Sequence, residues 1–149
     1  MLPRIHVYAP SHRDSLLALI RLNTPEYFAE EEEAEFEAYL DSEIEQYFVM
    51  EMGGEVVGCG GINFDEQEKM GIISWDMFHP DFQAKGLGTK LLLHRLAILK
   101  SMSSIETIVV RTSQVAYRFY QKNGFNLVRT EKDYWAPGFD LYFMELTFQ

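Results

Sequence analysis

A chain of 149 residues with 47% hydrophobic and 24% charged side chains is long enough for one domain with a real core, and too apolar for a disordered chain. Its formal charge of -10 argues against nucleic acid or an anionic membrane surface as a partner. The lone cysteine, Cys59, excludes an intrachain disulfide, and with four scattered histidines it makes a poor inventory for a metal site.

Ile5 to Tyr8 reads as a short first strand. Pro10 to Asp14 reads as a helix start, with Ser11 as N-cap and Asp14 as its capping-box partner, and Leu16, Leu17, Leu19 and Ile20 supply the apolar side. Asn23-Thr24-Pro25-Glu26 breaks that helix. Phe36, Leu40 and Ile44 recur every four residues, the spacing of a second helix with one buried face. Acidic residues from Glu30 to Glu45 fall largely between them. That run reads either as a solvated helix face or as a mouth that attracts cationic amines.

Strands follow. Tyr47 to Met52 and Glu55 to Ile62 flank Gly53-Gly54, a tight hairpin signal. After the polar turn Asp65 to Lys69, Gly71 to Phe78 reads as a central strand. Leu87 to Leu99 predicts a helix apolar over most of its circumference, interrupted by His94 and Arg95. Ile105 to Arg111 is a further strand, Gln114 to Lys122 a shorter helix closed by Asn123-Gly124 as a C-cap, and Phe125 to Thr130 and Leu141 to Phe148 two closing strands. The order predicts an α/β (α+β) fold, a mixed sheet with helices on both faces, as a single domain over residues 1–149. The N-terminus lacks the apolar stretch of a signal peptide and no apolar run approaches roughly 18 residues, so a cytoplasmic setting is expected.

The stretch Gln83-Ala84-Lys85-Gly86-Leu87-Gly88-Thr89 lies between the central strand and the apolar helix. Glycines there allow a sharp turn and a close approach to a ligand, and the N–H groups at the helix start favour an anion. Lys85 and Thr89 add a charge and a hydroxyl, which completes a pyrophosphate cradle. The stretch lacks the three-glycine spacing of the dinucleotide fingerprint and the Gly-Lys-Ser/Thr ending of a P-loop. Taken alone, it reads equally as a structural connection.

Gln83-x-x-Gly86-x-Gly88 resembles the acyl-CoA signature of the GNAT superfamily, and Ser113-x-x-Ala116-x-x-Phe119-Tyr120-x-x-x-Gly124-Phe125 resembles its second signature. The likeness spans roughly residues 47 to 148. It implies a mostly antiparallel sheet of about seven strands, splayed between the fourth and fifth around acetyl-CoA as cosubstrate. It implies that backbone groups of Asp76, Met77 and Phe78 pair with the pantetheine arm and the acetyl carbonyl. The N–H groups from Ala84 through Lys85, Gly86, Leu87 and Gly88 to Thr89 would hold the pyrophosphate. Ser113 stands where many members carry Asn, and its shorter side chain weakens that cofactor contact. Asp133-Tyr134-Trp135-Ala136-Pro137-Gly138-Phe139-Asp140, followed by Met144, is similar to a stretch of the ribosomal-protein alanine N-acetyltransferases, in which paired aromatics border the acceptor. Tyr134 and Trp135 hold those positions, or pack a loop against the sheet.

The resemblance implies an acyl-CoA-dependent N-acyltransferase that moves an acetyl group to a primary amine of a small molecule or peptide N-terminus, by direct attack in a ternary complex. No metal is expected. Tyr120 matches the family's tyrosine acid, and a phenol can donate a proton to a leaving thiolate. The family's glutamate positions are Ile72 and Ile108 here, so Asp76 is the best substitute base. Strand alternation puts Ile72, Ser74, Asp76 and Phe78 on one face, where a carboxylate among aromatics could have a raised pKa. Equally, Asp76 could bind a backbone group or neighbouring side chain instead. A non-catalytic acyl-CoA-binding module and a nucleotide-binding domain remain the competing readings. A homodimer is the default for a small enzyme.

Overall fold

The computed structural model describes residues 2–148. Among them, seven strands form one sheet in the order β1-β2-β3-β4-β5-β7-β6. The strands are β1 (Arg4–Val7), β2 (Gln46–Met52), β3 (Glu55–Asp65), β4 (Met70–Phe78), β5 (Thr107–Thr112), β6 (Asn126–Ala136) and β7 (Phe139–Thr147). The α-helices are α1 (Arg13–Leu22), α2 (Glu32–Ser42), α3 (Leu87–Lys100) and α4 (Tyr117–Lys122). Only β4 and β5 pair in parallel; the other neighbours are antiparallel.

Each face of the sheet carries its own core. Leu16, Leu19 and Ile20 of α1 and Phe36 of α2 pack with Val49, Cys59 and Met77. Leu91, Leu92, Leu96 and Leu99 of α3 and Tyr120 of α4 pack with Ile62, Ile73 and Ile108 on the other side. The apolar helix of the sequence is therefore the centre of one layer, and one of its polar interruptions, Arg95, is only 1% exposed.

Several local expectations change: β6 runs six residues past the expected end at Thr130 and takes in Tyr134 and Trp135, and α4 begins at Tyr117 rather than Gln114. Ser11 does not cap α1: a short 3-10 turn at Pro10–His12 leads into the helix, and the Ala9 N–H is taken by His12 Nδ1 at 3.0 Å. Ile44 falls beyond α2, which stops at Ser42. The C-cap of α4 forms as read. Gly124 takes φ +99°, its N–H donates to the Gln121 carbonyl, and the Phe125 N–H reaches the Tyr120 carbonyl at 3.1 Å.

The feature that makes a site is a split. β4 and β5 pair from Met70↔Thr107 only as far as Ile73↔Val110. Beyond that point β4 follows β3, through Met77 and Phe78, while β5 follows β7 out to Thr112. The two strands diverge, and the sheet opens between its fourth and fifth members, as the resemblance implied.

Candidate active site

The divergence begins beside a β-bulge. Cys59 pairs with Met77 and Gly61 with Ser74, so two residues of β4, Trp75 and Asp76, oppose the single residue Gly60 of β3. Trp75 takes φ +49°, rare for a bulky side chain. The Tyr47 hydroxyl donates to the Trp75 carbonyl at 2.7 Å and holds the turn.

The bulge reverses the alternation expected along β4. Ser74 faces the α2 side, where its hydroxyl meets Asn63, itself bonded by Tyr39. Trp75 also faces that side, stacked near Phe28 and Phe36. Asp76 then points to the opposite face, toward α3 and α4. The single face proposed for Ile72, Ser74, Asp76 and Phe78 is thus divided: Ile72 and Ser74 on one side, Asp76 and Phe78 on the other.

Asp76 is held from both sides. Arg95 Nη1 donates to Asp76 Oδ1 at 2.5 Å and to the Gly61 carbonyl at 3.1 Å. The Tyr120 hydroxyl donates to Asp76 Oδ2 at 2.6 Å. Gly60 makes this possible, since a Cβ there would collide with Asp76 Oδ1. Burial, and next the Asp76 charge, push the Tyr120 pKa well above its ordinary value, while the Arg95 charge opposes the rise. Tyr120 therefore stays a neutral phenol at working pH. The carboxylate expected to stand among aromatics is instead the acceptor of an arginine and a tyrosine.

A cleft of about 860 Å³ occupies the split. One end is formed by the glycine turn and α4. Gly86 caps α3 at φ +78° with open space where a Cβ would stand. Among the described residues, no protein acceptor takes the N–H groups of 84–89. Arg118 and Lys122, four apart on α4, line the same end and bring positive charge to an acidic chain. These groups suit a pyrophosphate, and the edge of β4 at Met77 and Phe78, no longer paired with β5, suits a pantetheine arm.

Most of the residues singled out in the sequence converge here. Tyr120, Asp76, Met77 and Phe78 line the cleft, as do Gln83, Ala84, Gly86, Gly88 and Thr89. Ser113 lines it too, its hydroxyl accepting from the Val115 N–H at 3.4 Å. Lys85 and Leu87 do not contribute side chains to the wall. Lys85 lies over the Phe82 ring and Leu87 packs into the core. Trp135 also lines the cleft, anchored by its indole N–H to the Thr112 carbonyl at 3.1 Å. Tyr134, its edge-on neighbour, is 47% exposed and is not part of that wall.

Sequence reading passed over several contributors. Asn23 is one: it joins the expected Gln83 in donating to the Phe78 carbonyl, each at 3.0 Å, and accepts from Gln83 at its Oδ1, which ties the end of β4 to α1 and the glycine turn. Arg95 was visible only as a charge within an apolar helix. Glu32 was visible only as one member of the acidic run. Cys59 is fully buried, with its thiol pushed up to about 12 by burial, which makes it inert.

A sequence model described as the Acetyltransferase (GNAT) family matches residues 15–125. The chain belongs to the GNAT acetyltransferase family. An amino-acid acetyltransferase of Actinobacillus pleuropneumoniae serotype 5b is 31% identical over 94 residues, 62% of this chain but 21% of that protein. The chain thus spans about a fifth of the length of the first curated relatives it matches. An N-alpha-acetyltransferase of Sulfurisphaera tokodaii is 28% identical over 148 residues, covering 88% of this chain and 84% of that one. The crystal structure of the ribosomal-protein-S18-alanine N-acetyltransferase from Escherichia coli superposes with a TM-score of 0.80 at 18% identity, over 98% of this chain and 94% of that one. At that identity the likeness speaks for the GNAT fold. No helix among the described residues is long and apolar enough to cross a membrane.

Proposed function

We propose that this GNAT domain is an N-acetyltransferase that binds acetyl-CoA in the split between β4 and β5 and passes the acetyl group directly to a primary amine of a small molecule or a peptide N-terminus. The observation that carries this reading is the alignment of three features along one cleft: unsatisfied N–H groups at the start of α3, the exposed edge of β4 after the bulge, and the Tyr120 hydroxyl beside Asp76. Acetyl-CoA would supply an electrophilic thioester carbonyl and a thiol leaving group.

The chain's own residues divide the remaining work. The N–H groups of 84–89 bind the pyrophosphate, helped by Arg118 and Lys122. Main-chain groups of Met77 and Phe78 orient the pantetheine arm and polarise the carbonyl. Tyr120 gives a proton to the departing sulfur when its O–H turns from Asp76 Oδ2 toward it. Arg95 stays paired with Asp76 and balances the negative charge then shared by the phenolate and the carboxylate. Asp76 in this reading positions Tyr120 and accepts its hydrogen bond, so removal of a proton from the amine falls to another group or to water. Trp135 borders the acceptor. A cytoplasmic setting accords with a reduced, buried Cys59.

Release of free thiol from acetyl-CoA, followed with a panel of amines, tests the reading. Amine-dependent release that Tyr120→Phe depresses, with acetyl-CoA affinity retained, supports it. Tight acetyl-CoA binding with no release for any amine overturns the enzymatic part.

A further inference from the structure

The acceptor end of the cleft contains a buried carboxylate that the roles above leave unused. Glu32, Phe36 and Leu40 follow one another at four-residue spacing on α2 and so share one side of it, and Phe36, with Phe28 just before the helix, meets Trp75. Glu32 is 5% exposed and lines the cleft. Its Oε2 accepts the Ala29 N–H at 2.8 Å. Among the described residues its Oε1 has no protein donor, and Glu32 forms no salt bridge.

The rest of the acidic run is employed differently. Arg13 takes Glu37 and Asp41, Arg21 takes Glu33, and Glu45 accepts from Asn63 and the Phe64 N–H. Part of the acidic face is therefore a clamp between α1, α2 and the sheet, while Glu30, Glu31, Glu35 and Glu43 are exposed. Glu32 alone of the run is buried, and the like charges of Glu35 and Glu31 add to its burial in raising its pKa. The Ala29 N–H satisfies one oxygen, and the other is open to the cleft, where a cationic ligand would offset its charge. Phe28 and Trp75, stacked with ring centroids 6.1 Å apart, line the same cleft, and their ring faces attract an ammonium while their area suits an apolar body.

We infer that Glu32 receives the acceptor amine as its ammonium, which gives up its proton to water before the freed amine attacks, and that the acceptor is a monoamine carrying that nitrogen on an aromatic or apolar body, as an arylalkylamine does. Glu32 offers one carboxylate, which matches one charge, and Asp76, the other acid lining the cleft, is already held by Arg95 and Tyr120. This inference rests on the acetyltransferase reading.

The test compares wild type with Glu32→Gln, using 2-phenylethylamine and spermidine as probes. The expected result is turnover of 2-phenylethylamine in preference to spermidine, with a rise of at least tenfold in its KM on Glu32→Gln. The melting shift produced by acetyl-CoA stays the same in both proteins, which also shows that the variant folds. An unchanged KM, or a preference for spermidine, overturns the inference while leaving the acetyltransferase reading intact, as does an acetyl-CoA shift without turnover of 2-phenylethylamine. Absence of any acetyl-CoA shift in wild type overturns the underlying reading and this inference with it.

Discussion

Tyr120, Asp76 and Arg95 form a chain in which each member depends on the next. Removing the Tyr120 hydroxyl deletes the proposed proton donor and little packing. Tyr120→Phe should therefore lower kcat by about 10²–10⁴-fold with the acetyl-CoA dissociation constant unchanged, measured by steady-state kinetics beside calorimetric titration. Arg95 behaves differently, because it is 1% exposed and its partner is mostly buried. Arg95→Met leaves the Asp76 carboxylate without its cation, a loss of about 3–5 kcal/mol. Thermal unfolding should register it at about 2–4 °C for each kcal/mol. Glu32 supplies a pH signature. Burial raises its pKa above the ordinary 4.5, so the folded state penalises the charged form. The penalty is absent below the ordinary value, grows as pH climbs toward the raised one, and is full above it. Glu32→Gln should accordingly melt higher than wild type at pH 7, and the difference should shrink as pH falls through 4.5.

At the level of elements, periodicity and turn chemistry located the strands and helices well. Gly53-Gly54, with φ of +59° and +82°, and Gly124 at the end of α4 adopt the conformations their residue types favour. The bulge in β4 was not legible for the converse reason. Trp75 carries the positive φ, and nothing about a tryptophan announces it; the bend is enforced by Tyr47 and by the pairing of Gly60 against two residues. Since the bulge decides which face each later residue meets, Asp76 could not be assigned a side by alternation alone. Its support is open to test. Tyr47→Phe leaves the Trp75 carbonyl without its donor, which should cost about 1–3 kcal/mol in denaturant unfolding. Gly60→Ala forces Asp76 and Arg95 apart, so it should weaken both stability and turnover, with a fold change in kcat/KM read against an unchanged far-UV spectrum.

For the molecule as a whole, the two signatures around Gly86 and Tyr120 lie some thirty residues apart in sequence and meet across one cleft because β4 and β5 part after Ile73 and Val110. That meeting was readable from the resemblance. The contributions of Asn23 and Glu32 were not, because they come from the first third of the chain, where no motif marks them and only tertiary packing brings them to the cleft. Net charge reads differently once placed in space. The acid of α2 is partly neutralised by Arg13 and Arg21 on α1, while Arg118 and Lys122 stand at the opposite end beside the unsatisfied N–H groups. Under the proposed function, an anionic cosubstrate and a cationic acceptor would have separate approaches to one reaction point.

The most direct measurement is thermal unfolding of the protein with and without acetyl-CoA, beside CoA, ATP and NAD. At 100 times its dissociation constant a ligand adds about 2.7 kcal/mol, which for a chain of this size is a rise of roughly 5–10 °C. The account predicts that rise for acetyl-CoA and CoA and none of comparable size for ATP or NAD at the same concentration. A melting temperature unmoved by acetyl-CoA, or raised equally by ATP, would contradict the claim that the split between β4 and β5 is an acyl-CoA site.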